Sequence, residues 1–149
     1  MVVFMHKQDP LSWILMPTVL DRIRKFIEKY NCDGPADKML PLIQQHFISD
    51  NPLILTLAGV ENGEVWGHAL VCIDALFDNR WMTILQTQID RPMSKEVEKD
   101  TWDKLLAWGK SKGAKEVQLL TPSNNRALLF AKKYGFRTHR IQMRRSIEG

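Results

Sequence analysis

The chain is poor in the residues that mark specialised chemistry. It has only two cysteines, Cys32 and Cys72. Two are too few for a disulfide framework, and they do not sit at metal-ligand spacing. They read as reduced thiols, the expectation for a cytoplasmic protein. No apolar run reaches the roughly 20 residues of a membrane helix, so no membrane partner is expected. The opening Met-Val-Val-Phe-Met-His-Lys lacks the layout of a secretory signal. No His-Glu-x-x-His, Ser-His-Asp or Walker pattern competes for the reading, and no metal site is expected. Acidic residues are missing from one long span. None lies between Glu116 and Glu148, whereas Arg126, Lys132, Lys133, Arg137, Arg140, Arg144 and Arg145 do. That bias points to an anionic partner at the basic C-terminal segment, or to a solvated basic face. Aromatics are not interleaved at stacking spacing, so nucleic-acid association would rest on charge alone.

What is present describes one ordinary folded unit. The chain has 149 residues, 44% hydrophobic and 26% charged, with net charge +4. This is enough for a single domain over 1–149 with one real core. Val2 to Met5 is a short apolar strand. Residues 17–30 carry Val19, Leu20, Ile23, Phe26 and Ile27 at helical spacing, with Pro17 in the first turn. Residues 36–48 repeat the pattern through Met39, Leu40, Ile43 and Phe47. The texture then changes to strands over 53–60, 65–76 and 81–89. The first two are joined by a Glu-Asn-Gly-Glu hairpin turn, and the three form an antiparallel meander. A helix follows over 94–112, with Val97, Thr101, Leu105 and Trp108 as its apolar stripe, widened by Trp102 and Leu106. Gly113 stops it. Residues 117–120 are a strand, 124–134 a last helix ended by Gly135, and 136–147 one or two closing strands. Strand 81–89, helix 94–112 and strand 117–120 make a βαβ unit, so those two strands run parallel with a right-handed crossover. The class is α+β, with a mixed central sheet flanked by helices.

The stretch T-P-S-N-N-R-A-L-L-F-A-K-K-Y-G-F, following L-L-A-W-G-K-S-K-G-A-K-E-V-Q-L-L, resembles the C-terminal half of a GNAT-family N-acyltransferase. V-E-N-G-E-V-W-G-H-A-L-V over 60–71 resembles the family's second and third strands, and the order of elements also agrees. The likeness covers about residues 53–145; the first fifty match in element order only. It implies a GNAT-like fold and transfer of an acetyl group from acetyl-CoA to an amine, on a small molecule or a protein. The alternative is a GNAT-like binding or structural protein that kept the fold without the chemistry.

By resemblance, the fourth and fifth strands splay apart around the pantetheine arm. A backbone N–H of the fourth strand, among Gln86, Thr87 and Gln88, polarises the acyl carbonyl. The family's diphosphate loop, Q/R-x-x-G-x-G/A, falls on Met93-Ser94-Lys95-Glu96-Val97-Glu98. Both glycines are glutamates here. A carboxylate about 6 Å from a phosphate charge costs roughly 0.7 kcal/mol in water and about 3 kcal/mol at an effective dielectric of 20. Ser94 then reads as a helix N-cap, with Glu96 and Glu98 complementing the helix dipole. Ser94 and Lys95 remain the loop's cofactor candidates, and Arg91 and Lys99 are further cations within reach. In the family's last motif, N-x-x-A-x-x-x-Y-x-K-x-G-F, Asn124, Ala127, Lys133, Gly135 and Phe136 match. The tyrosine, the usual acid for the leaving thiolate, is Ala131. Tyr134 stands at a position expected to pack in the core or at its edge. Asn124 is a cofactor contact or a helix cap, and Phe130 a cofactor contact or core. The candidate bases are Asp90, Asp74 and His68; each also has a structural reading as a strand-end, solvated or half-buried residue.

Overall fold

The computed structural model describes residues 1–30, 35–121, 124–138, 143 and 145–147. Its elements run in the order β1 (Val2–Phe4), α1 (Pro10–Tyr30), α2 (Ala36–Ile48), β2 (Ile54–Glu61), β3 (Glu64–Leu76), β4 (Asn79–Ile89), α3 (Lys95–Ser111), β5 (Glu116–Leu119) and α4 (Asn124–Tyr134). The five strands form one sheet in sequence order. β1 to β4 pair antiparallel, and β4 pairs parallel with β5 through Trp81 with Glu116 and Ile84 with Leu119. The class is therefore α+β with a mixed sheet, and α3 is the crossover between its two parallel strands. Among the described residues, no helix is long and apolar enough to cross a membrane.

Each face of the sheet carries its own core. On one side α1 and α2 bury Leu15, Met16, Val19, Ile23, Ile27 and Leu40 against Ala58 and Val60. On the other, Leu105 of α3 packs with Leu55, Leu57, Val71, Met82 and Ile84, and Trp102, Trp108 and Phe130 close the edge. A Cβ on Gly109 would lie 2.9 Å from the Met82 sulfur. The missing side chain is what lets α3 lie so close to β4.

Several boundaries differ from the sequence pattern for identifiable reasons. α1 starts at Pro10 rather than Pro17. Asp9 caps it, its side chain accepting from the Leu11 N–H at 3.0 Å, and Pro10 takes the first-turn position. Pro17 lies inside the helix on an exposed face, where the carbonyl it leaves unpaired can meet water. Ser12, Leu15 and Met16 extend the buried stripe backwards. On α3, Leu106 does not widen the apolar stripe but is 46% exposed; Leu105 and Gly109 are the buried positions. The β2–β3 hairpin turns on Asn62 (φ 52°) and Gly63 (φ 78°), the left-handed pair that a two-residue turn requires. The closing strands expected over 136–147 are not present at 136–138, 143 or 145–147. The remainder of that stretch, with Arg140 and Arg144, lies outside the described residues, as does Cys32.

Candidate active site

The site forms where the sheet comes apart. β5 follows β4 from Trp81 to Ile84, and beyond it the Leu120 N–H still donates to the Ile84 carbonyl at 3.2 Å. β4 continues to Ile89 with no described strand along that edge. A bulge decides which backbone groups face the gap. The β3–β4 register steps from Leu70–Gln86 to Val71–Ile84, leaving Leu85 as an extra residue. The Ile84 carbonyl points to β5, yet the Asp90 N–H donates to the Trp66 carbonyl on β3 at 2.9 Å. In an unbroken strand these two positions would point the same way; one inserted residue reverses the sense. Past the bulge, the backbone groups of Thr87 and Ile89 turn toward the open edge, while those of Gln86 and Gln88 turn toward β3.

A cleft of about 410 Å³ opens on that edge. Its floor is Thr87 and Ile89, and its near end is Asp90, Arg91, Pro92 and Met93. Glu98 of α3 and Arg126, Leu129, Phe130, Lys133 and Tyr134 of α4 form the far wall. Phe130 stacks on Tyr134 at 5.2 Å between ring centroids, and Tyr134 on Trp102 at 5.1 Å. The Arg126 guanidinium lies 5.3 Å from the Phe26 ring centroid, joining α4 to α1. Arg91 pairs with Glu61 and lies over the Trp66 ring.

The cleft's charges are largely answered within the chain. Ser94 caps α3, its hydroxyl accepting from the Val97 N–H at 3.2 Å. Lys133 donates to Glu98 at 3.0 Å, bridging α4 to α3. That hydrogen bond pushes the Lys133 ammonium up from its ordinary range. Glu98 thus stands in the cleft, whereas Glu96 is exposed and outside its lining.

Behind the strand end lies a network that the sequence reading missed. Arg22 of α1 donates through both terminal nitrogens to Asp90, at 2.7 Å to Oδ2 and 3.1 Å to Oδ1. It also reaches the Gln88 carbonyl at 3.3 Å and, through Nε, the His68 Nδ1 at 3.3 Å. With Nδ1 accepting, the His68 proton sits on Nε2 and is donated to Gln86 Oε1 at 3.2 Å. His68 is 4% exposed. Burial pushes it down from 6.5 to about 4, with Arg22 and Arg126 adding to the lowering, so it is neutral near pH 7. The Arg22 hydrogen bonds hold the Asp90 carboxyl below its usual range. A signal for Arg22 existed: it falls three residues after Val19 and four before Phe26, a cation on the apolar face of α1.

The structure brings Asp90, Thr87 and Phe130 together in the cleft. It places His68 and the Gln86 side chain behind the strand, bonded to each other. Gln88, Ser94 and Lys95 lie beside the cleft rather than in its lining. Asn124 opens α4, and its side chain lies outside the description. Ala131 is exposed and off the cleft; Tyr134 is the phenol in its wall. Asp74 accepts from the Thr83 hydroxyl at 2.6 Å, away from the cleft. The Cys72 thiol, half-buried, is pushed up to about 11 by burial and is no nucleophile near neutral pH. Among the described residues, no cluster of three or more metal-ligating side chains occurs. A second cavity of about 250 Å³, lined by His6, His46, Asp50 and Trp108 among others, holds none of these candidates.

No family model and no curated protein matches the chain. Solved structures do. A predicted acetyltransferase from Clostridium acetobutylicum, solved with acetyl-CoA, is 16% identical with a TM-score of 0.67, covering 99% of this chain and 97% of that one. The aminoglycoside N-acetyltransferase AAC(6')-Iy in complex with CoA is 18% identical with a TM-score of 0.66, covering 99% and 94%. Glucosamine-6-phosphate N-acetyltransferase from Arabidopsis thaliana is 17% identical with a TM-score of 0.59, covering 99% of both chains. At these identities the likeness is one of fold.

Proposed function

We propose that this chain, which has the fold of the GNAT acetyltransferases, is an acetyl-CoA-dependent N-acetyltransferase in which an amine attacks the thioester directly. The observation that carries the reading is the β4 edge beyond Ile84 that no described strand covers, with the Thr87 backbone turned into a cleft of about 410 Å³. An extended acyl-pantetheine chain suits such an edge, and Ile89, Leu129 and Phe130 give it apolar walls. The phosphates suit the cleft less well. Arg91, Arg126 and Lys133 favour them, but two of these cations already have carboxylate partners, Glu61 and Glu98. Ser94 and Lys95, at the start of α3, are the further groups proposed to meet phosphate.

The bound thioester supplies an activated carbonyl. The Thr87 N–H is the donor for the negative charge developing on its oxygen. The Asp90 carboxylate accepts the N–H of the attacking amine. As the N–C bond forms and the C–S bond breaks, the amine's proton leaves to water. Held below its usual range, the Asp90 carboxylate stays ionised and orients the amine rather than storing the proton. We assign protonation of the leaving thiolate to Tyr134, a reading supported by its presence in the cleft wall. Calorimetry with acetyl-CoA, followed by thiol release with a panel of primary amines, tests the reading. Folded protein that does not bind acetyl-CoA would return the chain to a GNAT-like binding or structural role.

A further inference from the structure

Two of the three candidate bases, His68 and Asp90, touch one residue that lies on neither of their strands. Arg22 spends its Nε–H on His68 and both terminal nitrogens on Asp90. Its side chain is 15% exposed, while that of Asp90 is 48% exposed and lines the cleft. His68 therefore has no lone pair left to offer, and it stands behind the strand. Each Asp90 oxygen, by contrast, keeps a lone pair beyond the one that Arg22 occupies.

We infer that Arg22 is a positioning residue that aims the Asp90 carboxylate into the cleft as the acceptor for the substrate amine, and that His68 and Gln86 serve to hold Arg22 in place. The inference rests on the transferase reading and names the residue that sets its amine subsite. The fork of two parallel N–H groups fixes the plane of the carboxylate in a way a single cation does not. Nε is anchored by a neutral histidine, whose other nitrogen is anchored by Gln86 in turn. The chain Gln86–His68–Arg22–Asp90 thus runs from inside the sheet to the cleft. The charged and titratable groups acting on it are Arg22 from α1, His68 from β3, Asp90 from the end of β4 and Arg126 from α4.

The test compares wild type with Arg22→Met, Arg22→Lys and Asp90→Asn, with circular dichroism confirming each fold. Titrating n-butylamine into labelled protein should shift the amide resonances of residues 89–91 in wild type. The shifts should vanish in Asp90→Asn, fall at least five-fold in Arg22→Met, and recover in part in Arg22→Lys. In acetyl transfer, kcat/KM for the amine should fall ten-fold or more in Arg22→Met. The acid limb of its pH profile should move upward, because the carboxylate loses the donors that favour its ionised form. The dissociation constant for acetyl-CoA should stay within two-fold. Equal amine-induced shifts in wild type and a folded Arg22→Met would overturn the inference, whether or not the protein transfers acetyl groups. A donor that binds without transfer, with the amine shifts behaving as described, would instead count against the transferase reading alone.

Discussion

At the scale of single residues, the chemistry is governed by burial. His68 is the clearest case, lowered to about 4 chiefly because its charged form would lose water. An unfolded chain returns it to about 6.5. The unfolded state therefore binds more protons between those values. Its contribution to stability is complete above about pH 6.5 and is lost as pH falls toward 4, on the order of 3 kcal/mol in all. Urea denaturation at pH 7 and pH 5 should show that slope, and His68→Gln should flatten it, whatever the substitution costs at pH 7. Asp90 acts in a lower window, since its folded-state value is held below the ordinary carboxylate range by Arg22. Ala131 shows the opposite situation. It is exposed and off the cleft, so Ala131→Tyr should shift stability by less than about 0.5 kcal/mol and leave any transfer rate within two-fold. A large gain in rate would show that a phenol at this position reaches the reacting atoms. The motif spacing names the position but is silent on which side of the helix meets the cleft. That is a tertiary fact, and in this structure the cleft-facing phenol is Tyr134.

Among the elements, those with their own punctuation were legible in the sequence. The hairpin at Asn62-Gly63, the α3 cap at Ser94 and the stops at Gly113 and Gly135 all carry local chemistry, and the helices and strands around them follow the pattern. The sequence pattern opens α1 at Pro17, because a proline suits a first turn; the actual start is marked by the Asp9 side-chain cap, with Pro10 in the first-turn position. The bulge at Leu85 was invisible, because an extra residue in one strand is defined by the register of its partner. Yet that bulge decides that Thr87, rather than Gln86 or Gln88, faces the gap. Gly59 shows how tightly the neighbouring strands are built. A Cβ there would lie 2.7 Å from three ring atoms of Trp66, so the indole or the strand must shift to admit it. Arg91 lies over that ring on its way into the cleft. Gly59→Ala should cost about 1–3 kcal/mol by overpacking, read as a lower denaturation midpoint at unchanged m-value. Wild-type stability with Ala at this position would mean that Trp66 is free to leave the strand.

Over the whole molecule, the cleft joins pieces far apart in sequence, and its charge balance cannot be read from the net +4. Arg126 and Lys133, seven residues apart on α4, do meet in the cleft as helical spacing suggests. The carboxylate that answers Lys133 comes from α3, whose first turn carries Glu96 and Glu98. Of the two, Glu98 lines the cleft and Glu96 does not, so their effects on an anionic ligand should separate. A carboxylate about 6 Å from a phosphate charge opposes it by roughly 0.7 kcal/mol in water and about 3 kcal/mol at a dielectric of 20. Glu98→Gln should thus tighten CoA binding by about ten-fold in calorimetry, between the three-fold and hundred-fold that those limits imply, while Glu96→Gln stays within two-fold. Losing the bridge to Lys133 costs at most about 1 kcal/mol of stability, as for other solvent-accessible pairs. The gain in affinity should shrink as salt is raised, because screening acts over about 8 Å at physiological ionic strength. Pantetheine, which lacks the phosphates, should bind both proteins alike. A comparable gain for pantetheine would mean that Glu98 restrains the cleft by shape rather than charge, and no gain for CoA would place its phosphates away from the α3–α4 bridge.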